Sequence, residues 1–351
     1  MKKVKKVFVS GVSGMTGSYM VDFLLEEYPD YEIYGGVRAV SVANTQNTAT
    51  FANHERYHEV RFDLTDAHSI DRAIQQVMPD YFINLAAQSF VGDSWAIPEY
   101  TFQANATAVL HILEAIRKHV PECRFVTQGT SEEFGEVSYS PQDENHPSRP
   151  MSPYGAAKVA SRAIVRVYRE SYGLNACQTW MFNHSAPRRG DMFVTQKIVK
   201  NLVRINKEGG ESMKLGNIYA KRDESHAKDI VKATWLCANQ EGRPKDYVAA
   251  SGKTHSVKDF CNLVLRSLDF VGEWRGEGLN EKFYTIGRHG EYEVPVIEIS
   301  EEFYRPAEVE LLIGNPERLK KDLQWSPEYD ITTLVKDMVD SAIKGYEKEN
   351  E

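Results

Sequence analysis

Tyr154 and Lys158 stand four residues apart, Y-x-x-x-K, on a stretch that Ser152-Pro153 opens as a helix, with an N-cap and a proline at the first position. That spacing puts both side chains on one helical face. An ammonium beside a phenol lowers the cost of tyrosinate, making it a general base near neutral pH. The pattern alone also arises by chance on solvated helix faces. It gains weight from Thr130-Ser131-Glu132, which follows a predicted strand at the edge where open parallel sheets place their ligand crevice. There a hydroxyl can hydrogen-bond a substrate alcohol, and a carboxylate can act as a second acid or base. Thr130, Glu132, Tyr154 and Lys158 are the expected catalytic set.

A second constellation lies near the start of the chain. Gly11-Val12-Ser13-Gly14-Met15-Thr16-Gly17 has the spacing G-x-x-G-x-x-G between a predicted strand and a predicted helix. Glycines let the backbone turn tightly and approach a pyrophosphate, and the helix N-terminus offers unpaired N–H groups and a positive dipole end. An acidic residue ending the second strand would bind the ribose 2′-hydroxyl of NAD. The chain instead reads Gly35-Gly36-Val37-Arg38, and a guanidinium there suits a 2′-phosphate. NADP is the expected cofactor.

The elements needed to position these groups are legible as alternating apolar runs and amphipathic stretches, the pattern of βαβ units around a parallel sheet. Strands are predicted over Lys6–Ser10, Glu32–Val37, His58–Phe62, Tyr81–Leu85, Arg124–Thr127 and Ala176–Phe182. Helices are predicted over Thr16–Glu27, Ser69–Met78 and Ala104–His119, and from Pro153 onward. The fold class is α/β, a Rossmann-type doubly wound parallel sheet with a smaller α/β C-terminal substrate domain. The expected division is 1–182 plus about 226–252 for the cofactor, and about 183–225 plus 253–345 for the substrate. The polar tail, 346–351, is expected to fray.

Composition narrows the function classes. In 351 residues, 42 Lys and Arg face 50 Asp and Glu, a formal net charge of −8. An acidic chain lacks the basic footprint of a nucleic-acid-coating protein. A hydrophobic fraction of 42% supports a packed core and excludes a largely disordered chain. No apolar run approaches the roughly 20 residues of a membrane span, and Gly11 comes too early for a signal-peptide core. Cys123, Cys177, Cys237 and Cys261 are scattered singly, as buried thiols of a reducing compartment would be. No metal is expected: even His226 and Asp229, one helical turn apart, are too few for a site. A cytoplasmic protein is expected.

Further segments carry a resemblance. The glycine motif, Leu85-Ala86-Ala87-Gln88-Ser89, Thr130-Ser131-Glu132, and Tyr154 with Lys158 resemble the extended short-chain dehydrogenase/reductases. Asp63-Leu64-Thr65-Asp66, Phe182-Asn183-His184, Pro187-Arg188-Arg189-Gly190, His226-Ala227-Lys228-Asp229 and Arg305-Pro306-Ala307-Glu308-Val309 narrow it. Over roughly residues 6–345 the chain is similar to the GDP-mannose 4,6-dehydratase family. The resemblance implies that Gly11, Gly14, Met15, Thr16, Gly17 and Arg38 hold the adenosine and phosphate end of NADP, with Asp63 and Leu64 flanking the adenine. It implies that Leu85, Ala86, Ala87, Ser89 and Tyr100 line the path to the nicotinamide, and that Tyr154, Lys158, His184 and Arg189 lie at its ribose end. Ser89, Asn183, Val194, Lys197, Arg222, Arg305 and Glu308 would receive a GDP-sugar. It also implies a homodimer or homotetramer.

Four residues, at three places, depart from the family pattern. Ala39 stands where a second arginine usually follows Arg38, Ser185 where a glutamate follows the histidine, and Glu224-Ser225 where the family has Trp-Gly. Asp93-Ser94-Trp95 and Arg149-Pro150-Met151-Ser152-Pro153-Tyr154-Gly155 also resemble the GDP-4-keto-6-deoxymannose reductases. That reading stays open, as do an epimerase, a dehydratase of another GDP-hexose or heptose, and a silent NADP-sensing binding protein.

Overall fold

The structure, a computed structural model, describes residues 4–39, 45–286, 293–304 and 311–350. Its first half runs β1 (Lys5–Ser10), α1 (Met15–Glu27), β2 (Tyr31–Val37), β3 (Tyr57–Arg61), α2 (Ala67–Val77), β4 (Tyr81–Asn84), α3 (Pro98–Phe102), α4 (Ala108–His119), β5 (Arg124–Thr130), α5 (Pro153–Tyr172) and β6 (Ala176–Met181). There follow β7 (Asn183–Ser185), α6 (Val194–Glu208), β8 (Met213–Leu215), β9 (Lys221–His226), α7 (Ala227–Asn239) and β10 (Tyr247–Ala249). The remainder is β11 (Thr254–Ser256), α8 (Val257–Ser267), β12 (Gly272–Arg275), β13 (Lys282–Ile286), β14 (Glu293–Ile299), β15 (Leu311–Leu312), α9 (Glu317–Leu323) and α10 (Ile331–Glu349).

Seven strands form one parallel sheet in the order β10-β6-β5-β4-β1-β2-β3, the doubly wound arrangement whose order reverses between β1 and β4. Central β1 is buried on both faces, with Val7, Phe8 and Val9 at 0% exposure, as a sheet covered by helices on both sides requires. Val7 and Val9 pack with α1 and α7 residues such as Leu24 and Ile230. Phe8 faces the other way, stacking on Phe82 at 4.7 Å beside the α2 and α4 residues Ile74 and Ile112. Each such side chain contributes about 1.5–3 kcal/mol by leaving water. The Rossmann-type α/β architecture read from the sequence is the one observed.

The later chain adds two four-stranded sheets, β11-β9-β15 with β7 on β9, and β12-β13-β14-β8. A separate apolar core lies against the β12-β13-β14-β8 sheet, including Leu202 of α6, Val264 of α8 and Met338 of α10.

Three local differences from the expected elements matter. Strand β5 runs on to Thr130 rather than stopping at Thr127, pairing Thr130 with Met181. The helix expected from Ala104 starts at Pro98, a proline at N1, and passes through a π turn at Gln103–Thr107 before α4. The polar tail is helical through Glu349, because Tyr346 donates its hydroxyl to Glu208 at 2.7 Å and Lys207 pairs with Glu347 at 3.2 Å. Among the described residues no helix is long and apolar enough to cross a membrane, and no group of three or more His, Cys, Asp or Glu could hold a metal ion.

Candidate active site

The C-terminal ends of β1, β2, β4, β5 and β6 open into a single cavity of about 1690 Å³. At its β1 end, Gly11 adopts φ +73°, and a Cβ there would come within 2.8 Å of the Ala86 nitrogen. A Cβ on Gly17 would lie 2.1 Å from the Gly11 carbonyl oxygen, so glycine alone lets α1 pack this close to β1. No described side chain caps α1 at Gly14, and Gly14, Met15 and Thr16 face the cavity. This is a cradle for an anion at a helix N-terminus.

A buried polar ladder fixes the floor. Ser10 Oγ donates to Asn84 at 2.7 Å and accepts from the Leu85 and Ala86 N–H groups at 3.0 Å. Asn84 in turn donates to Thr127 at 3.0 Å. Asn105, turned inward by the π turn, grips both backbone groups of Gln88 at 2.9 Å. The Leu85–Ser89 loop is thereby held rigid along the cavity. Sequence reasoning missed Ser10, Asn84 and Asn105; only the π turn aims Asn105 at the loop.

At the β2 end, Arg38 Nη1 donates to the Tyr100 hydroxyl at 3.3 Å. Arg61, paired with Val37 in register, lines the same region and supplies a second cation that the sequence reading did not single out. Asp63 accepts from the Thr65 N–H and hydroxyl at 2.9 and 2.8 Å, which fixes the turn beside Leu64.

Across the cavity, Thr130 ends β5 and caps the turn Ser131–Glu133. Its Oγ1 accepts from the Glu132 N–H at 3.3 Å, while its own N–H donates to Glu133. Glu132 therefore faces the cavity and Glu133 the interior. On α5 the Ser152 hydroxyl accepts from the Gly155 N–H at 3.0 Å, and the helix runs to Gly173 with φ 70°. Tyr154 and Lys158 share its cavity face, with Lys158 Nζ 5.9 Å from the Tyr154 ring centroid and donating to the Gln128 carbonyl at 2.8 Å.

The electrostatics add a group. Burial holds the Tyr154 phenol well above its usual range, opposed by a hydrogen bond from Thr130 and by the Arg189 guanidinium. Burial also lowers Lys158 to about 8, against the pull of Glu133. The cations near the phenol thus include Arg189, which sits 3.6 Å from the Phe193 ring centroid, as well as the lysine one helical turn away. His184 is lowered to about 4 by burial, Arg189 and His226. It is neutral at pH 7, its Nδ1–H donating to the Phe182 carbonyl at 3.0 Å and its Nε2 accepting from Thr16 at 2.9 Å.

Asn183, Val194, Lys197 and Arg222 continue the lining beyond β6, with Lys197 Nζ 3.6 Å from the Phe303 ring centroid. Of the residues predicted from the sequence, every one within the described residues borders this one cavity. Arg305 and Glu308 lie outside the described residues.

A family model described as GDP-mannose 4,6 dehydratase matches residues 8–338. The chain belongs to the GDP-mannose 4,6-dehydratase family. It is 37% identical over 348 residues to the GDP-mannose 4,6 dehydratase of Drosophila melanogaster, covering 97% of this chain and 86% of that one. It is 38% identical to the GDP-mannose 4,6-dehydratase of Vibrio cholerae, covering 97% and 94%. In fold it matches a dTDP-glucose 4,6-dehydratase from Streptomyces venezuelae with NAD and TYD bound, at TM-score 0.82, 21% identity and 98% coverage of both chains.

Among the GDP-mannose 4,6-dehydratases this chain's departures at 185 and 224 turn out to be neighbours. β7 lies parallel to β9 with Ser185 beside His226 and Asn183 beside Glu224. Ser185 Oγ donates to Glu224 Oε1 at 2.5 Å. A carboxyl group therefore still reaches this wall of the cavity, carried by the neighbouring strand.

Proposed function

We propose that this chain converts GDP-mannose to GDP-4-keto-6-deoxymannose, with NADP as its cofactor. The observation that carries the reading is a single cavity, in a chain of this family, that joins the glycine cradle to Thr130, Glu132, Tyr154 and Lys158.

The fit to a dinucleotide rests on the cradle. Only glycine fits at Gly11 and Gly17, and the uncapped start of α1 favours phosphate. Gly11, Gly14, Met15, Thr16, Gly17 and Arg38 would hold the adenosine and phosphate end, with Asp63, Leu64, Leu85, Ala86, Ala87, Ser89, Tyr100, His184 and Arg189 along its length. The choice of NADP is supported by Arg38 and Arg61 at the β2 and β3 ends, where a 2′-phosphate would meet two guanidiniums despite Ala39. Ser89, Asn183, Val194, Lys197, Arg222, Arg305 and Glu308 would take the GDP-sugar. On this division 1–182 with about 226–252 carry the cofactor, and about 183–225 with 253–345 the sugar nucleotide.

Held by the glycine cradle, NADP+ would supply a hydride acceptor for C4 of the hexose and, in its reduced form, the hydride donor for C6. Tyr154 takes the proton from the 4-hydroxyl, with Thr130 hydrogen-bonded to the phenol and Lys158 and Arg189 favouring its ionised form. The 4-keto group makes the C5 proton acidic, and Glu132 removes it. The resulting glutamic acid gives a proton to the C6 oxygen, which leaves as water. Once hydride is back on C6, C5 regains a proton as Tyr154 gives up, through solvent, the one it took from the 4-hydroxyl, so both residues return to their starting states. The reaction would leave the cofactor's oxidation state unchanged, so turnover would need no exchange of the dinucleotide.

Four buried free thiols support a reducing, cytoplasmic setting. The resemblance to the family adds a homodimer or homotetramer to the reading. The testing experiment is incubation of the purified chain with GDP-mannose and a trace of NADP+. The reading expects a keto product one water lighter and no net NADPH; no consumption of GDP-mannose overturns it.

A further inference from the structure

The wall of the cavity beyond Tyr154 carries an acidic group to which the reaction just described gives no work. Strand β9 alternates its side chains across two faces. Asp223 points away from the cavity, accepting from the Ser251, Gly252 and Gly314 N–H groups at 2.8, 2.9 and 3.2 Å. Arg222 and Glu224, two residues apart, face the cavity instead.

Glu224 is held in place rather than free to swing. Thr195 donates to Ser185 at 2.8 Å, and Ser185 donates to Glu224 Oε1, so two hydroxyls in series fix one carboxyl oxygen. A carboxylate has about four lone-pair sites, which leaves acceptor capacity toward the cavity. Burial pushes this carboxyl up to about 7, opposed by Ser185, by Arg189 and by Arg222, while Asp223 adds to the rise. Arg189 is the charge shared with the other wall, since it is stabilised by both Glu224 and Tyr154.

These neighbours place Glu224 along the substrate. On the proposed function, C4 of the hexose meets Tyr154 and the diphosphate on C1 meets Arg222. The groups between those ends are the hydroxyls on C3 and C2. We infer that Glu224 is a specificity-determining residue that accepts hydrogen bonds from the C2 and C3 hydroxyls of the hexose, which are cis in mannose and trans in glucose. A cis pair presents two donors on one side of the ring to the two oxygens of one carboxyl group; inverting C2 turns its hydroxyl from axial to equatorial and away from a carboxyl fixed in that place. Rejection follows because one acceptor position on a half-buried carboxyl is left unfilled.

The inference rests on the proposed substrate, and the test separates the two. Equilibrium binding of GDP-mannose, GDP-glucose and GDP is measured on the NADP+-loaded chain in a Tyr154→Phe background, which leaves the sugar unoxidised. That parent should bind GDP-mannose at least about tenfold more tightly than GDP-glucose. Adding Glu224→Gln should reduce the preference to about threefold or less while GDP binding stays within about twofold. Ser185→Ala, which keeps the carboxyl but frees it from β7, should give an intermediate preference, and it serves if the glutamine variant fails to fold. An unchanged mannose preference in both variants overturns the inference alone. So does parallel weakening of GDP and GDP-mannose, which would assign Glu224 to the nucleotide. A parent that binds no GDP-mannose removes the proposed function and this inference together.

Discussion

Thr130 and Glu133 hold each other: the Thr130 N–H donates to Glu133 Oε1 at 3.0 Å, and the Thr130 side chain caps the turn that carries Glu133. The buried carboxyl also accepts from Gln178 at 2.9 Å and Trp180 at 3.1 Å, and it lies 3.1 Å from the Arg162 guanidinium. One glutamate thus anchors the turn while its neighbour, Glu132, is presented to the cavity. Two adjacent carboxyls have opposite tasks because a 3-10 turn sends them in different directions.

That burial has a pH signature. Desolvation pushes Glu133 up to about 7 from a model-peptide value near 4.5, against the pull of Arg162 and Lys158. The folded chain therefore holds this proton more tightly than the unfolded chain, and its contribution to stability falls as pH rises from about 4.5 to 7. Glu133→Gln removes the titration. The variant should gain on the wild type between pH 5 and pH 8, by on the order of 2–3 kcal/mol. Denaturant unfolding of both proteins at the two pH values checks it, and a constant difference would remove Glu133 as the titrating group.

Glu132→Gln separates the two halves of the reaction. The amide cannot take the C5 proton, whereas Tyr154, Lys158 and Thr130 remain in place to oxidise C4. Steady-state turnover should fall about 10²–10⁴-fold, while a single-turnover rise in reduced-nicotinamide fluorescence survives. Full dehydratase activity in the variant would take Glu132 out of the mechanism.

Arg38 tests the cofactor. Losing a charge-assisted contact to a phosphate costs about 1.5–3 kcal/mol, so Arg38→Ala should weaken NADP+ binding by about 10–100-fold. NAD+, without the 2′-phosphate, should change by less than about twofold. Equal losses for the two dinucleotides in a direct titration would mean that Arg38 does not read the phosphate.

What the sequence made legible was the chemistry written in local spacing. Y-x-x-x-K needs only a helix to bring Tyr154 and Lys158 together, and G-x-x-G-x-x-G needs only the strand and helix beside it. Composition and alternation were enough for the doubly wound sheet. Hidden from that reading were groups that tertiary pairing alone assembles. Ser185 and Glu224 are 39 residues apart and meet only because β7 pairs with β9. Glu133 looks like a second surface acid in a turn, and its burial follows from β5 continuing to Thr130. Arg189 differs from these: the family resemblance, not local spacing, puts it at the ribose end with Tyr154, and the loop after β7 brings it there by folding back over Phe193.

Internal hydride transfer is the central claim, and C4-deuterated GDP-mannose tests it most directly. Incubated with the chain and a trace of NADP+, it should give a product one water lighter that retains the deuterium, located at C6 by NMR. Deuterium lost from the sugar, or a chain that turns over only a 4-keto sugar in the presence of added NADPH, would contradict the account.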